Sequence, residues 1–278
     1  LTVMMWFVLL TAVALGAPGT IATPSSLDRI AVIGASASAG WAVVVPTKPG
    51  HEPVPVHHAH IDLADVLPAV LIDITPKITD HANSFFFSNP TTIGASEMSA
   101  AIATDPTLIV GIDFLFWYAY GSRPEQDRLP LLEQGLKELE RFDGPLLVGD
   151  IPDVSAAATV QPIAIISTRQ IPQPHTLDSI NARIESWAAT RPNVHVVPLA
   201  RTLHSWQRGT PPDLNGHQWS KGIRIIQFDK LHPTAAGLVA TAELVAKSIN
   251  DSIQPVSIQA DPTVVLTTLR GNTQERAQ

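Results

Sequence analysis

The 278-residue chain contains no cysteine, which excludes disulfides, thiolate nucleophiles and cysteine-bound metals. Charge is scarce as well: 15% of residues are Asp, Glu, Lys or Arg, and the formal net charge is −7. Nucleic acid is bound by stripes of Lys and Arg on one face, and no such stripe is present. Both common phosphate fingerprints, Gly-x-Gly-x-x-Gly and a loop ending in Gly-Lys-Ser/Thr, are missing too, so a nucleotide has no ready cradle. The apolar run from Met4 to Leu15 in "MMWFVLLTAVALGAPGTIA" covers roughly 12 residues, short of the about 20 that a membrane span needs. Small residues follow it, and Thr20 and Ala22 are spaced like a signal-peptidase site, although no Lys or Arg precedes the run. The expectation is a cleaved export signal over residues 1–22 and an extracytoplasmic mature protein with no stable membrane insertion.

With 45% hydrophobic residues, what remains is ample for a buried core. "RIAVIGASASAG", "TLIVGIDFLFWYAYG", "GPLLVGDIPDV" and "NVHVVPLA" read as strands that are apolar throughout rather than alternating, and "SFFFSNP" as a further short strand. Between them, "HIDLADVLPAVL", "GASEMSAAIAT", "RLPLLEQGLKELERF" and "TLDSINARIESWAATRP" have helical spacing, with Pro68 interrupting the first. After a long polar segment, residues 201–227, "HPTAAGLVATAELVAKSIND" forms the last helix, with Pro233 in its first turn. Strands that are apolar on both faces and alternate with helices imply a parallel sheet covered on both sides, a three-layer α/β/α fold. With no internal repeat or linker, residues 23–253 form one domain, and the tail 254–278 carries no strong pattern.

In such a sheet ligands bind beyond the carboxyl ends of the strands. The turn Gly34-Ala-Ser36-Ala-Ser38-Ala-Gly40 lies at one such end. If Ser36 opens a helix, one residue supplies both a hydroxyl nucleophile and an unpaired N–H. Small residues are also simply what a tight strand-to-helix turn uses. A serine nucleophile needs a base, and the base an orienting group. "Asp229-Lys-Leu-His232-Pro233" supplies both within one turn, just before the last helix, where the chain returns to the sheet's carboxyl edge. "FLFWYAYG" suits either the core or a pocket wall. "His57-His58-Ala-His60" has no carboxylate arranged with it as a zinc enzyme requires, and it reads as a loop or helix start.

Gly34-x-Ser36-x-Ser38-x-Gly40 near the start, followed by Asp229-x-x-His232-Pro233 near the end, resembles the SGNH (GDSL-type) hydrolases over roughly residues 28–250. The resemblance implies a three-layer, flavodoxin-like α/β/α fold and an esterase, lipase or acyl-hydrolase activity with no cofactor and no metal. It implies Ser36 as nucleophile, His232 as general base and acid, and Asp229 as its orienting group. The oxyanion hole it implies is made by the N–H groups of Ser36 and Gly94 in "TTIGASEM". The family's third motif, Gly-x-Asn-Asp, falls on "Gly111-Ile-Asp113-Phe114". Two positions depart from the pattern: Ala35 replaces the first motif's Asp, and Asp113 stands where the oxyanion Asn is expected. An ionised carboxylate would repel an oxyanion, so one expectation is that Asp113 is protonated among Phe114, Phe116 and Trp117 and donates a hydrogen bond; the other is an ordinary buried acid hydrogen-bonded to backbone. The substrate class is a small-molecule ester or an acylated polysaccharide. A non-catalytic, carbohydrate- or lipid-binding descendant of the fold is the alternative.

Overall fold

The computed structural model describes residues 27–46, 58–162 and 164–276, so the export-signal reading of residues 1–22 lies outside them. The strands are β1 (Arg29–Val32), β2 (Val44–Pro46), β3 (His58–His60), β4 (Lys77–Asp80), β5 (Leu108–Gly111), β6 (Leu146–Gly149), β7 (Val194–Val197), β8 (Asp213–Leu214) and β9 (His217–Gln218). The helices are α1 (Leu63–Val70), α2 (Pro90–Ala103), α3 (Phe116–Ala119), α4 (Arg128–Leu139), α5 (Pro174–Ala189), α6 (Leu199–Gln207), α7 (Ala235–Ser252) and α8 (Pro262–Arg276).

Five strands form one sheet in the order β4-β1-β5-β6-β7, and every pairing is parallel. Alternation along the strands divides the core in two. Ile30, Val32, Leu108, Val110 and Leu147 face α1, α7 and α8. Ala31, Ile33, Ile109, Leu146 and Val148 face α2, α3, α4 and α5. Because both faces are buried, the strands carry no polar alternation, and the three-layer expectation rested on that feature. The chain runs from β1 to β4 on one side and then to β5 on the other. The order therefore reverses between β1 and β5, which is where a crevice opens at the carboxyl edge.

Several expected elements differ. "SFFFSNP" is a 3₁₀ turn at Phe86–Ser88, and the strand in this part of the chain is β4, "KITD". Lys77 and Asp80 end that strand at the sheet's solvent-facing edge, so it lacks the apolar run that marks its neighbours. β5 stops at Gly111, and the aromatic run beyond it coils into α3, with Phe114, Tyr118 and Tyr120 fully buried. The polar segment contains α6 and the small β8–β9 hairpin. α7 begins at Ala235, capped by Thr234, whose hydroxyl accepts the Gly237 N–H, so Pro233 precedes the helix. The tail is ordered into α8, which buries Val265 and Leu269 in the core shared with α1 and α7.

Candidate active site

β1 delivers the chain to Gly34, whose φ of 143° disfavours any side chain. A Cβ there would lie 2.1 Å from Asp113 Oδ1, so only glycine lets the turn pass this close to the carboxylate. No helix begins at Ser36. The chain makes a single helical turn, with the Ala39 N–H donating to the Ala35 carbonyl at 3.0 Å and the Trp41 N–H to the Ser36 carbonyl at 2.9 Å, then leaves toward β2.

Asp113, at the carboxyl end of β5, collects the amides that a helix would have left free. Its Oδ1 accepts the Ala35 N–H at 3.0 Å and the Ser38 hydroxyl at 2.6 Å. Its Oδ2 accepts the N–H groups of Ala37 at 2.9 Å and Ser38 at 3.2 Å. Four donors converging on one carboxyl turn it toward the backbone of the turn, which corrects the expectation of Asp113 as a donor into an oxyanion hole. Burial raises its pKa above the ordinary carboxylate value, and these four hydrogen bonds lessen the rise without cancelling it. Among the amides from Gly34 to Trp41, Ser36's alone has no acceptor among the described residues.

The returning chain supplies the rest. Asp229 Oδ1 accepts the N–H groups of Leu231 at 2.9 Å and His232 at 3.0 Å, a tight turn in which Lys230 takes a φ of 63°. Its Oδ2 lies 2.8 Å from His232 Nδ1, and His232 Nε2 lies 2.9 Å from Ser36 Oγ. The structure thus brings together Ser36, His232 and Asp229, which stand 196 residues apart at their extremes. Burial would raise the Asp229 pKa, but the Leu231 and His232 amides and the imidazole outweigh it and hold the carboxyl below its ordinary value. An anionic Asp229 on Nδ1 fixes the tautomer that presents Nε2 as an acceptor to the serine hydroxyl.

Gly94 does not join them. It lies inside α2, and a Cβ there would sit 2.2 Å from the Tyr118 hydroxyl and 3.1 Å from the tip of Phe114. As the fifth residue of the helix, its N–H falls where intrahelical bonding has begun, so it is no free donor. Its small size serves the packing of α2 on α3.

Three features of this region escape the sequence reading. The loop after β4 docks on the Gly34–Gly40 turn through the Asn83 N–H, which donates to the Gly34 carbonyl at 2.8 Å. Trp41 packs beside His232, their rings 5.9 Å apart, and its ring lies 6.3 Å from that of the exposed Phe85. Glu97 reaches from α2 beneath the turn, where Oε2 accepts the Gly34 N–H at 2.9 Å and Oε1 is buried without a partner. Burial, opposed by that one hydrogen bond and reinforced by the nearby Asp113, raises its pKa to about 9. The signal was available: Glu97 is the one charged residue of α2. Of the histidine cluster, His57 lies outside the described residues, while the His60 ring contacts the Gly40 carbonyl at 3.0 Å.

A cavity of about 120 Å³ opens beside Ser36 and His232. Its walls are chiefly apolar, including Ile112, Phe116, Ile151, Val154, Leu203 and Trp206.

No family model and no curated protein matches the sequence. Solved structures do. A gut microbial diltiazem-metabolizing enzyme aligns over 82% of this chain and 48% of its own length, with a TM-score of 0.52 at 11% identity. A lipase/acylhydrolase from Enterococcus faecalis aligns over 82% of this chain and 98% of its own, with a TM-score of 0.49 at 16% identity. The parallel five-stranded sheet flanked by helices, with a serine turn after its first strand, is the three-layer α/β/α fold of the SGNH hydrolases.

Proposed function

We propose that the protein is a serine hydrolase of carboxylic esters. The observation that carries this reading is the continuous hydrogen-bonded line from Ser36 Oγ through His232 to Asp229. Ser36 attacks the acyl carbon while His232 Nε2 takes its proton, and Asp229 stabilises the imidazolium that results. The free Ser36 amide donates to the oxyanion of the tetrahedral intermediate. As that intermediate collapses, His232 passes the proton to the departing alcohol. Water, deprotonated by the same imidazole, then releases the acid and restores Ser36.

Two further features give the reading its detail. The acyl group enters the apolar cavity, which at about 120 Å³ is smaller than the roughly 150 Å³ that accommodates benzene, so short acyl chains fit. The alcohol leaves past Trp41, whose ring lies beside the imidazole, and can belong to a small molecule or to a polysaccharide. One oxyanion donor is worth about 3–4 kcal/mol, so an enzyme with the Ser36 amide and no Gly94 or Asp113 donor is a slow one. Export through residues 1–22 belongs to the same proposal.

The test is hydrolysis of p-nitrophenyl acetate, butyrate and dodecanoate by the chain from Thr23 onward, beside Ser36→Ala. The reading predicts turnover of the short esters ahead of dodecanoate, and loss of at least about a thousandfold in the variant. Equal rates in both proteins, or none in either, would support a non-catalytic binding descendant instead.

A further inference from the structure

Two carboxyl groups flank Gly34. Glu97 Oε2 takes its N–H, and Asp113 Oδ1 lies against its Cα, where a Cβ would come within 2.1 Å. Both are buried. The groups facing Glu97 are Asp113 from the end of β5, Asp80 from the end of β4 and Tyr118 from α3, none of which carries a positive charge. Two neighbouring buried carboxyls cannot both ionise cheaply, so such a pair holds a single proton over a wide pH range. Its place is set by the hydrogen bonds. Asp113 has four donors, which suits a carboxylate. Glu97 has one donor and an oxygen with no partner, and a buried oxygen without a partner costs less on a neutral acid than on an anion.

We propose that Glu97 and Asp113 form a one-proton pair beneath the nucleophile turn, with Glu97 neutral and Asp113 anionic, and that Glu97 is a positioning residue for Ser36. This rests on the serine-hydrolase reading. The neutral Glu97 allows Asp113 to stay ionised, and the ionised Asp113 binds the amides on either side of Ser36, leaving that of Ser36 for the substrate. When Glu97 loses its proton to the solvent, the two anions repel across Gly34. Asp113 then shifts, and the turn loses its acceptor.

The experiment follows kcat for phenyl butyrate from pH 6 to 10.5 in the wild type, Glu97→Gln and Glu97→Ala, together with thermal midpoints from pH 5 to 10. The wild-type kcat falls above about pH 9, where Glu97 ionises. Glu97→Gln, permanently neutral, holds its plateau to the end of the range. Glu97→Ala loses about tenfold in kcat across the wild-type plateau below about pH 9, with KM within about twofold, and the Gln variant restores it. An alkaline fall that persists in Glu97→Gln overturns the proposal. The midpoints give a readout independent of activity. Glu97's folded pKa lies above its ordinary 4.5, so wild-type stability relative to Glu97→Gln declines from about pH 4.5 to about 9 and then levels. Parallel midpoint curves overturn the pair. A wild type that hydrolyses nothing overturns the hydrolase reading, and the midpoints still decide whether the acid pair exists.

Discussion

Three amides that would compete with Ser36 for an oxyanion, those of Ala35, Ala37 and Ser38, are already bonded to Asp113. This gives the acid a role that an asparagine performs poorly, since a carboxamide offers one acceptor oxygen and an NH₂ that would meet the turn's donors head-on. Asp113→Asn is therefore expected to lower stability by about 1–3 kcal/mol and to slow hydrolysis, measured by thermal denaturation and by kcat on a butyrate ester. If Asp113 instead donated to the oxyanion, asparagine would equal or exceed it. The grouping of Ser36, His232 and Asp229 was legible in the sequence because these residue types in this order suit one chemistry, and Asp229-x-x-His232 is a local spacing that geometry can satisfy in one turn. The role of Asp113 was left open between an oxyanion donor and a buried acid bonded to backbone. It depends on which way the turn's amides point, and that follows from a φ of 143° at Gly34 that no composition or spacing reveals.

Elements buried on both faces were readable because burial writes itself into apolar runs, as in "LIVG" of β5 and "LLVG" of β6. β4 was missed for the opposite reason: "KITD" pairs with β1 through backbone groups and leaves its ends exposed. The three phenylalanines of "SFFFSNP" suggested a strand. Only Phe86 is buried, while Phe85 and Phe87 face solvent beside Trp41 and Trp117. Gly94 shows how a motif can mislead, because a glycine near the right place in the chain serves helix packing here. Gly94→Ala keeps the backbone N–H but drives a methyl to 2.2 Å from the Tyr118 hydroxyl, at the end of a rigid, buried ring. It should cost about 1–3 kcal/mol of stability in a denaturant titration and leave the KM of the remaining folded enzyme near that of the wild type. A selective loss of kcat with full stability would return Gly94 to the oxyanion hole.

For the molecule as a whole, the face formed by α1, α7 and α8 is sealed by a buried acid. Glu243 of α7 is fully enclosed, accepts the Trp219 N–H at 2.9 Å on Oε2, and has no partner on Oε1. Burial, against the Trp219 hydrogen bond, lifts its pKa from 4.5 to about 8. The folded state therefore holds a proton that the unfolded chain gives up above about pH 4.5, so this group's contribution falls as pH rises from about 4.5 to 8 and is level beyond. Glu243→Gln should remove that decline, on the order of a few kcal/mol, seen as a midpoint gap over the wild type that widens between pH 5 and 8. A constant gap would mean that Glu243 is already ionised in the fold. α8, which completes this face, left no mark in the sequence reading, because its large apolar residues Val264, Val265, Leu266 and Leu269 fall within six positions, too short a run to set a period, and no apolar residue follows from Arg270 to Arg276.

The central claim is that this fold presents Ser36 as an activated nucleophile. It is tested most directly by exposing the intact protein to a phosphonate ester that phosphonylates activated serines, releasing its leaving group, and locating the adduct by peptide mass spectrometry. The account predicts one stoichiometric adduct on Ser36, absent from Ser36→Ala and formed far more slowly in His232→Ala. No adduct, or an adduct on Ser38 or elsewhere, would contradict it.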